Sequence, residues 1–289
     1  MNYKIWMMFL GFLFGGLMGA AQVSGQPFYY YKGGMQLASG SYFFVEDTRS
    51  FYLTNGLDVR NSRYGISVDF PFIVQNSPWI SYSRYGGIPT GGPQHESVGQ
   101  HYGRGTDQNM RGGRRQHIDL VDTASYTQSG FSDPSLFLQY QALGFESGTT
   151  ALYINTSIKF PFADPVNGFG TGAWDMGVGG SLSRRFNTWF ITANFMYWHF
   201  GDMPDLELNS SLNYGVGIGK SLSGGHWLLL GSLNGMTEII EGVTPPMSAA
   251  LGIGYQVDKR RSLNISTTFG LSESSADVAF GVGWQVKLN

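Results

Sequence analysis

Apolar and polar residues alternate along strand-length stretches from about residue 34 to the end of the chain. The last stretch is the clearest. Val278, Phe280, Val282, Trp284, Val286 and Leu288 fall on one side; Asp277, Ala279, Gly281, Gly283, Gln285 and Lys287 fall on the other. A repeat of two residues marks a β-strand whose faces meet different surroundings. Twelve stretches carry it, at about 34–46, 50–60, 64–85, 133–144, 149–161, 173–186, 189–200, 206–220, 226–240, 246–257, 262–272 and 277–288. The fold class is therefore all-β, and the choice lies between a sandwich and a barrel.

Strand length and loop length decide between them. The strands exceed the five or six residues, roughly, that are usual in soluble sheets, and they match a tilted bilayer crossing of about 9–11 residues with some projection beyond it. The connections alternate in length. Those after even-numbered strands, such as 61–63 and 187–188, run to five residues at most, whereas the one at 86–132 is 47 residues long. Short turns at one end and long loops at the other are the asymmetry of a bacterial outer-membrane barrel. An even strand count places both termini at the short-turn, periplasmic end. Pro78 interrupts the third stretch; a split there would give thirteen strands, and single-chain bacterial barrels have even numbers, so 64–85 is read as one long, kinked strand. Tyr64, Trp79, Trp174, Trp189, Trp227 and Trp284 stand near strand ends, where aromatic girdles meet headgroups.

Composition fits an up-and-down transmembrane barrel. Mean hydropathy is only −0.12, because alternate residues alone meet lipid. Charged residues are 13% of the chain, about half the share usual in soluble domains. Glycine stands at 42 of 289 residues, about twice the average frequency. Cysteine is absent, and a net charge of −2 offers no basic excess for nucleic acid. Lys4 followed by the apolar run 5–18 reads as a secretory signal, with small residues at 19 and 21 for cleavage after Ala21; cleavage after Gly25 is the alternative. The expected organisation is a signal peptide at 1–21 and a barrel at 22–289 in the outer membrane.

Four short segments resemble the outer-membrane transporters of the MetA-pathway of phenol degradation family. They are Phe131-Ser-Asp-Pro-Ser-Leu-Phe-Leu-Gln-Tyr140 at a strand entry, Phe160-Pro-Phe with Gly170-Thr-Gly-Ala-Trp-Asp175 before a strand, Arg63-Tyr64-Gly65-Ile66 at an early strand, and the closing run from Asp277 to Gln285. The resemblance implies a β-barrel and uptake of aromatic or other hydrophobic compounds.

Function then rests on the inward faces. The lumen-lining candidates are Asp58, Arg60, Asp69, Lys159, Asp175, Glu207, Asn213, Glu238, Asp277 and Lys287. In a wide barrel they line a wet pore, and in a narrower one they pair and plug it. Many inward positions are glycine, Gly215, Gly217, Gly281 and Gly283 among them; these either widen the lumen or relieve curvature strain. Asn55-Gly56 falls mid-strand or marks a bulge. His95, His101 and His117 share the 86–132 loop at spacings that match no compact metal motif, and no Ser–His or Cys–His arrangement suggests a nucleophile. No enzyme, no cofactor and no metal are expected. The loop's Arg104, Arg111, Arg114 and Arg115 suit lipopolysaccharide phosphates. The expected partners are outer-membrane lipid, lipopolysaccharide and a small-molecule solute; the expected function is passive passage of that solute. The alternative is a non-transporting surface protein whose long loop binds a partner or stabilises the envelope.

Overall fold

A computed structural model describes residues 26–83, 86–102, 127–144, 149–163, 165 and 168–289. The signal segment, Arg104, Arg111, Arg114, Arg115 and His117 lie outside these. The strands are β1 (Phe28–Gly40), β2 (Thr48–Arg60), β3 (Tyr64–Gln75), a small hairpin of β4 (Ser81–Ser83) and β5 (Gly86–Ile88), β6 (Gln128–Phe131), β7 (Ser135–Gly144), β8 (Thr150–Lys159), β9 (Asp175–Phe186), β10 (Trp189–His199), β11 (Ser211–Leu222), β12 (Trp227–Met236), β13 (Met247–Gln256), β14 (Arg261–Gly270) and β15 (Val278–Lys287). A helix, α1 (His95–Tyr102), follows the hairpin.

Consecutive wall strands pair antiparallel, and β15 pairs with β1 from Tyr30↔Lys287 to Ser39↔Val278, which closes the sheet. Twelve staves make the barrel, because β6 and β7 together form one. Opposite them, β3 pairs with β7 as far as Asp69↔Ser135 and resumes with β6 at Phe72↔Phe131. Residues 70–71 thus face 132–134, one residue more: a β-bulge where Pro71 and Pro134 both lack a ladder N–H. The bulge swings Asp133 into the interior, where it is buried.

The expected alternation is realised on the wall. Leu37, Leu251, Ile265 and Phe280 point outward with 57–63% of their surface exposed, and comparable side chains encircle the barrel. A soluble protein does not leave so continuous an apolar surface to water. A closed sheet with that exterior satisfies its backbone internally and buries its apolar face in hydrocarbon, so the barrel spans a membrane. No described helix is long and apolar enough to cross one. Trp174, Trp189 and Trp227 are outward near strand ends. Trp284 lies across Gly33 of the neighbouring strand, where a Cβ would collide with its ring. Short turns join the strands at the end where β1 begins and β15 ends. One turn is held by Asp258, which accepts from the Arg260 and Arg261 N–H groups at 2.8 Å and from the Arg261 guanidinium at 2.7 Å; the Arg261 hydrogen bond keeps its carboxyl below the usual range.

Several expectations are corrected. The first strand is Phe28–Gly40, not 34–46, and the long third strand does not exist: β3 stops at Gln75. Beyond it the chain turns inside, so Trp79 is buried, not a girdle residue. Register runs without a break through Asn55↔Phe70 and Gly56↔Asp69, so there is no bulge there. Strand β11 begins at Ser211 and β12 ends at Met236, which moves Glu207 and Glu238 onto loops; Asp277 just precedes β15.

The buried core is not in the wall. It lies at the long-loop end, where the connections fold over and into the mouth. Tyr42, Phe43 and Phe44 from the β1–β2 loop meet Trp79, Ile80 and Ile88, Val98 of α1, Phe200, Met203, Leu206 and Leu208 from the β10–β11 loop, and Ile239 and Ile240 from the β12–β13 loop. The inward side chains of Ile73, Met196, Trp198 and Met236 support them from the wall. Rings touch within it: Phe44 lies 5.6 Å from Trp79, and Trp198 stacks on Phe200 at 6.0 Å with 9° between planes. Gly91 and Gly92 take left-handed φ of 79° and 52° as the chain turns into α1. A Cβ at Gly92 would collide with the Pro78 carbonyl, so glycine is required there on both counts.

Candidate functional site: the barrel interior

Below this plug the interior is polar, and its charges gather into two clusters. The first joins β1, β2 and β3. Lys32 Nζ lies 3.2 Å from Asp58 Oδ1 and 2.6 Å from Asp69 Oδ1, and it also donates to Ser67. Arg60 closes on Asp58 from the short-turn side and lies 5.5 Å above the Tyr30 ring. Gln285 of the closing strand reaches Asp58 at 3.4 Å. Gly56 makes this convergence possible, since a Cβ there would meet Asp69 Oδ1 and Lys32 Cε, both 2.6 Å away.

The second cluster sits higher, against the plug. Lys159 Nζ is 2.8 Å from Asp175 Oδ2 and 3.3 Å from Asp133 Oδ2, and it donates to Thr171 at 2.7 Å. Asp133 also accepts from the Ala163 N–H at 2.8 Å, and Asp175 from the Gly201 N–H at 3.2 Å. Ser132 donates to the Phe169 carbonyl at 2.6 Å. One buried ammonium therefore ties together the bulged stave, the β8–β9 loop and the chain after β10. Such a cluster is costly to bury, and removing one partner strands the others.

The opposite wall is uncharged. On β10, β11 and β12, Asn194, Gly215 and Asn234 stand in cross-strand register, as do Thr192, Gly217 and Ser232. A Cβ at Gly215 would strike both asparagine side chains, and one at Gly283 would lie 2.7 Å from Asn264 Nδ2. Here the inward glycines make room for neighbouring amides to lie flat along the wall. Asn213 is buried here, 3.5 Å from Asn194 and from the Gly235 carbonyl. Toward the short-turn mouth the lining becomes apolar at Leu228 and Leu230, between Gly219, Gly252 and Gly254.

Two joined cavities occupy the space enclosed. The larger, about 650 Å³, is bounded by Lys32, Asp58, Arg60, Gln139, Asn264 and Gln285 among others. The smaller, about 320 Å³, shares Lys32, Gly34, Tyr52 and Thr54 with it and rises to Tyr82, Asp133 and Lys159 under the plug. Tyr82 and Tyr42 are held neutral: burial pushes both phenols up, Tyr82 to about 12.

The ten candidates thus separate. Asp58, Arg60, Asp69, Lys159, Asp175 and Asn213 face the interior in the two clusters and on the neutral wall. Lys287 sits at the short-turn rim, its Nζ 3.6 Å from the Phe28 ring centroid. Glu207 and Glu238 are exposed on plug loops, where Glu238 accepts the Gly242 N–H. Asp277 is exposed at the long-loop rim. Lys32 and Asp133 were missed. Lys32 precedes the point at which alternation becomes legible, and Asp133 turns inward only through the bulge. His95 is set in α1 with Nε2 3.6 Å from Asp205, and no described group of three or more His, Asp or Glu side chains is placed to hold a metal.

No protein-family model matches the chain, and no curated protein matches it. Solved structures do. An outer membrane channel from Pseudomonas putida F1 superimposes with a TM-score of 0.61 at 10% identity, covering 93% of this chain and 98% of that one. The NanC porin gives 0.49 at 8% identity over 90% and 100% of the two chains, and the KdgM porin 0.48 at 7% over 91% and 100%. The likeness to the Pseudomonas channel is one of fold: a closed twelve-stranded antiparallel outer-membrane barrel.

Proposed function

We propose that the protein is an outer-membrane channel through which small solutes, hydrophobic ones included, pass passively. The observation that carries this reading is the joined cavity system, about 650 Å³ and 320 Å³, inside a barrel whose outer face is apolar. A barrel built only to anchor a surface loop gains nothing from a polar hollow interior. Asp58, Arg60, Asp69 and Lys159, with Lys32, line the path, and Asp175 and Asn213 are buried on its inward side. Both termini and the short turns face the periplasm, residues 1–21 direct export, and outer-membrane lipid and lipopolysaccharide surround the wall. The short segments that resemble the phenol-degradation transporters favour aromatic or other hydrophobic cargo. The apolar plug closes the long-loop end at rest, so passage requires that its segments move.

Planar-bilayer recording tests the proposal. The intact barrel is expected to show small or intermittent conductance steps, and a variant with 92–126 replaced by a short Gly-Ser linker is expected to conduct more, because α1 with Val98 is removed from the plug. Silence from both proteins, with the variant folded, would overturn the channel and favour a surface protein that works through its loop.

A further inference from the structure

We infer that the smaller cavity is a binding pocket for a small aromatic solute whose polar head donates hydrogen bonds or carries a positive charge, and that it turns away aromatic carboxylates. This rests on the reading of the interior as a solute path. The cavity measures about 320 Å³, and an apolar cavity of about 150 Å³ already accommodates benzene. One side offers ring faces: Tyr52 and Tyr82 lie 5.5 Å apart at 32°, with Pro71 beside them. Flat aromatic and prolyl surfaces receive another ring by offset or edge contact, and tyrosine faces attract a cation.

The other side decides which head group fits. Its two ammonium groups are already committed, Lys32 to Asp58 and Asp69, and Lys159 to Asp133 and Asp175. With Arg60 included, three cations face four carboxylates in the two clusters. An incoming carboxylate would add a further negative charge beside Asp69 and Asp133, where low dielectric magnifies repulsion. An ammonium or hydroxyl head instead meets oxygen acceptors on Asp69, Asp133, Thr54 and Ser135 around the cavity.

Gly34 supplies the means of testing this. It lines both cavities, and a Cβ there would meet only Thr54 Oγ1 at 3.4 Å and the Val282 carbonyl at 3.5 Å, ordinary contacts. Gly34→Leu therefore fills the passage between the cavities and leaves every charge in place. The full-length folded protein in lipid nanodiscs is titrated calorimetrically at neutral pH with benzylamine, benzyl alcohol and benzoate. Benzylammonium is expected to bind at least about tenfold more tightly than benzoate, with benzyl alcohol between them, and Gly34→Leu to weaken benzylammonium by at least about tenfold. Benzoate binding equal or tighter, benzylammonium binding unmoved by Gly34→Leu, or no binding at all overturns the inference. The readout needs no conductance: a barrel that binds but never conducts loses the channel and keeps the pocket. One that conducts without this discrimination does the reverse.

Discussion

Leu251→Arg lowers the stability of the barrel in lipid vesicles by about 2–4 kcal/mol, the cost of an arginine facing hydrocarbon at mid-depth. Leu251 lies midway along β13 between Gly231 and Thr267, with 63% of its side exposed outward. On a water-facing sheet such a change would be within about 0.5 kcal/mol of neutral, so the measurement separates lipid from water as the medium around the wall. The control is next door. Gly252 points inward, and a Cβ there would find its nearest atoms at 3.6 Å; Gly252→Ala is expected to change stability little. Urea titration of the folded, heat-modifiable band on gels reads both. A Leu251→Arg barrel as stable as the parent would remove the assignment of this face to the membrane.

The second large effect is expected inside. Lys159→Met leaves Asp133 and Asp175 buried without their common cation, and breaking a buried ion pair from one side costs about 3–5 kcal/mol. The loss falls on the plug more than on the wall, because Lys159 also holds Thr171, and its two carboxylates hold the Ala163 and Gly201 backbones. The β8–β9 loop and the segment after β10 are then released together. The expected signature is a wall that still migrates as a folded barrel, with plug loops open to protease and a larger conductance. Adding Asp133→Asn and Asp175→Asn to Lys159→Met removes the stranded charges and restores much of the protease resistance. A Lys159→Met protein with an unchanged protease pattern and conductance would show that the apolar contacts of Phe44, Trp79, Trp198 and Phe200 hold the plug unaided.

The places where the sequence reading failed share a physical cause. In Phe28-Tyr29-Tyr30-Tyr31 both faces of β1 are aromatic, so the period of two vanishes although the strand continues; Lys32 was lost with it. Leu206, Glu207 and Leu208 alternate as a strand would, yet Leu206 and Leu208 are buried in the plug and Glu207 is exposed on its loop. Alternation there records burial of a loop against the mouth, not a lipid face. Pro78 signalled an interruption. The chain answers it by turning inside, and a single side-chain pattern cannot distinguish an aromatic at the headgroup level from one in a plug, as Trp79 shows.

From the sequence alone follow the strand count, the lipid-facing side of the strands whose alternation is clean, such as β10, β13 and β15, and the contrast of short turns with long loops. These are local properties: a side chain's face is set by its position in a repeat of two, and a turn by the few residues that make it. Only the tertiary structure determined that the inward charges converge on Lys32 and Lys159, that Asp133 joins them through a bulge, and that an apolar cluster packs at the long-loop end above two polar cavities. Those outcomes depend on closure. Joining β15 to β1 brings Gln285 to Asp58, across 227 positions of the chain, and gives the long connections one common mouth in which to bury their apolar residues.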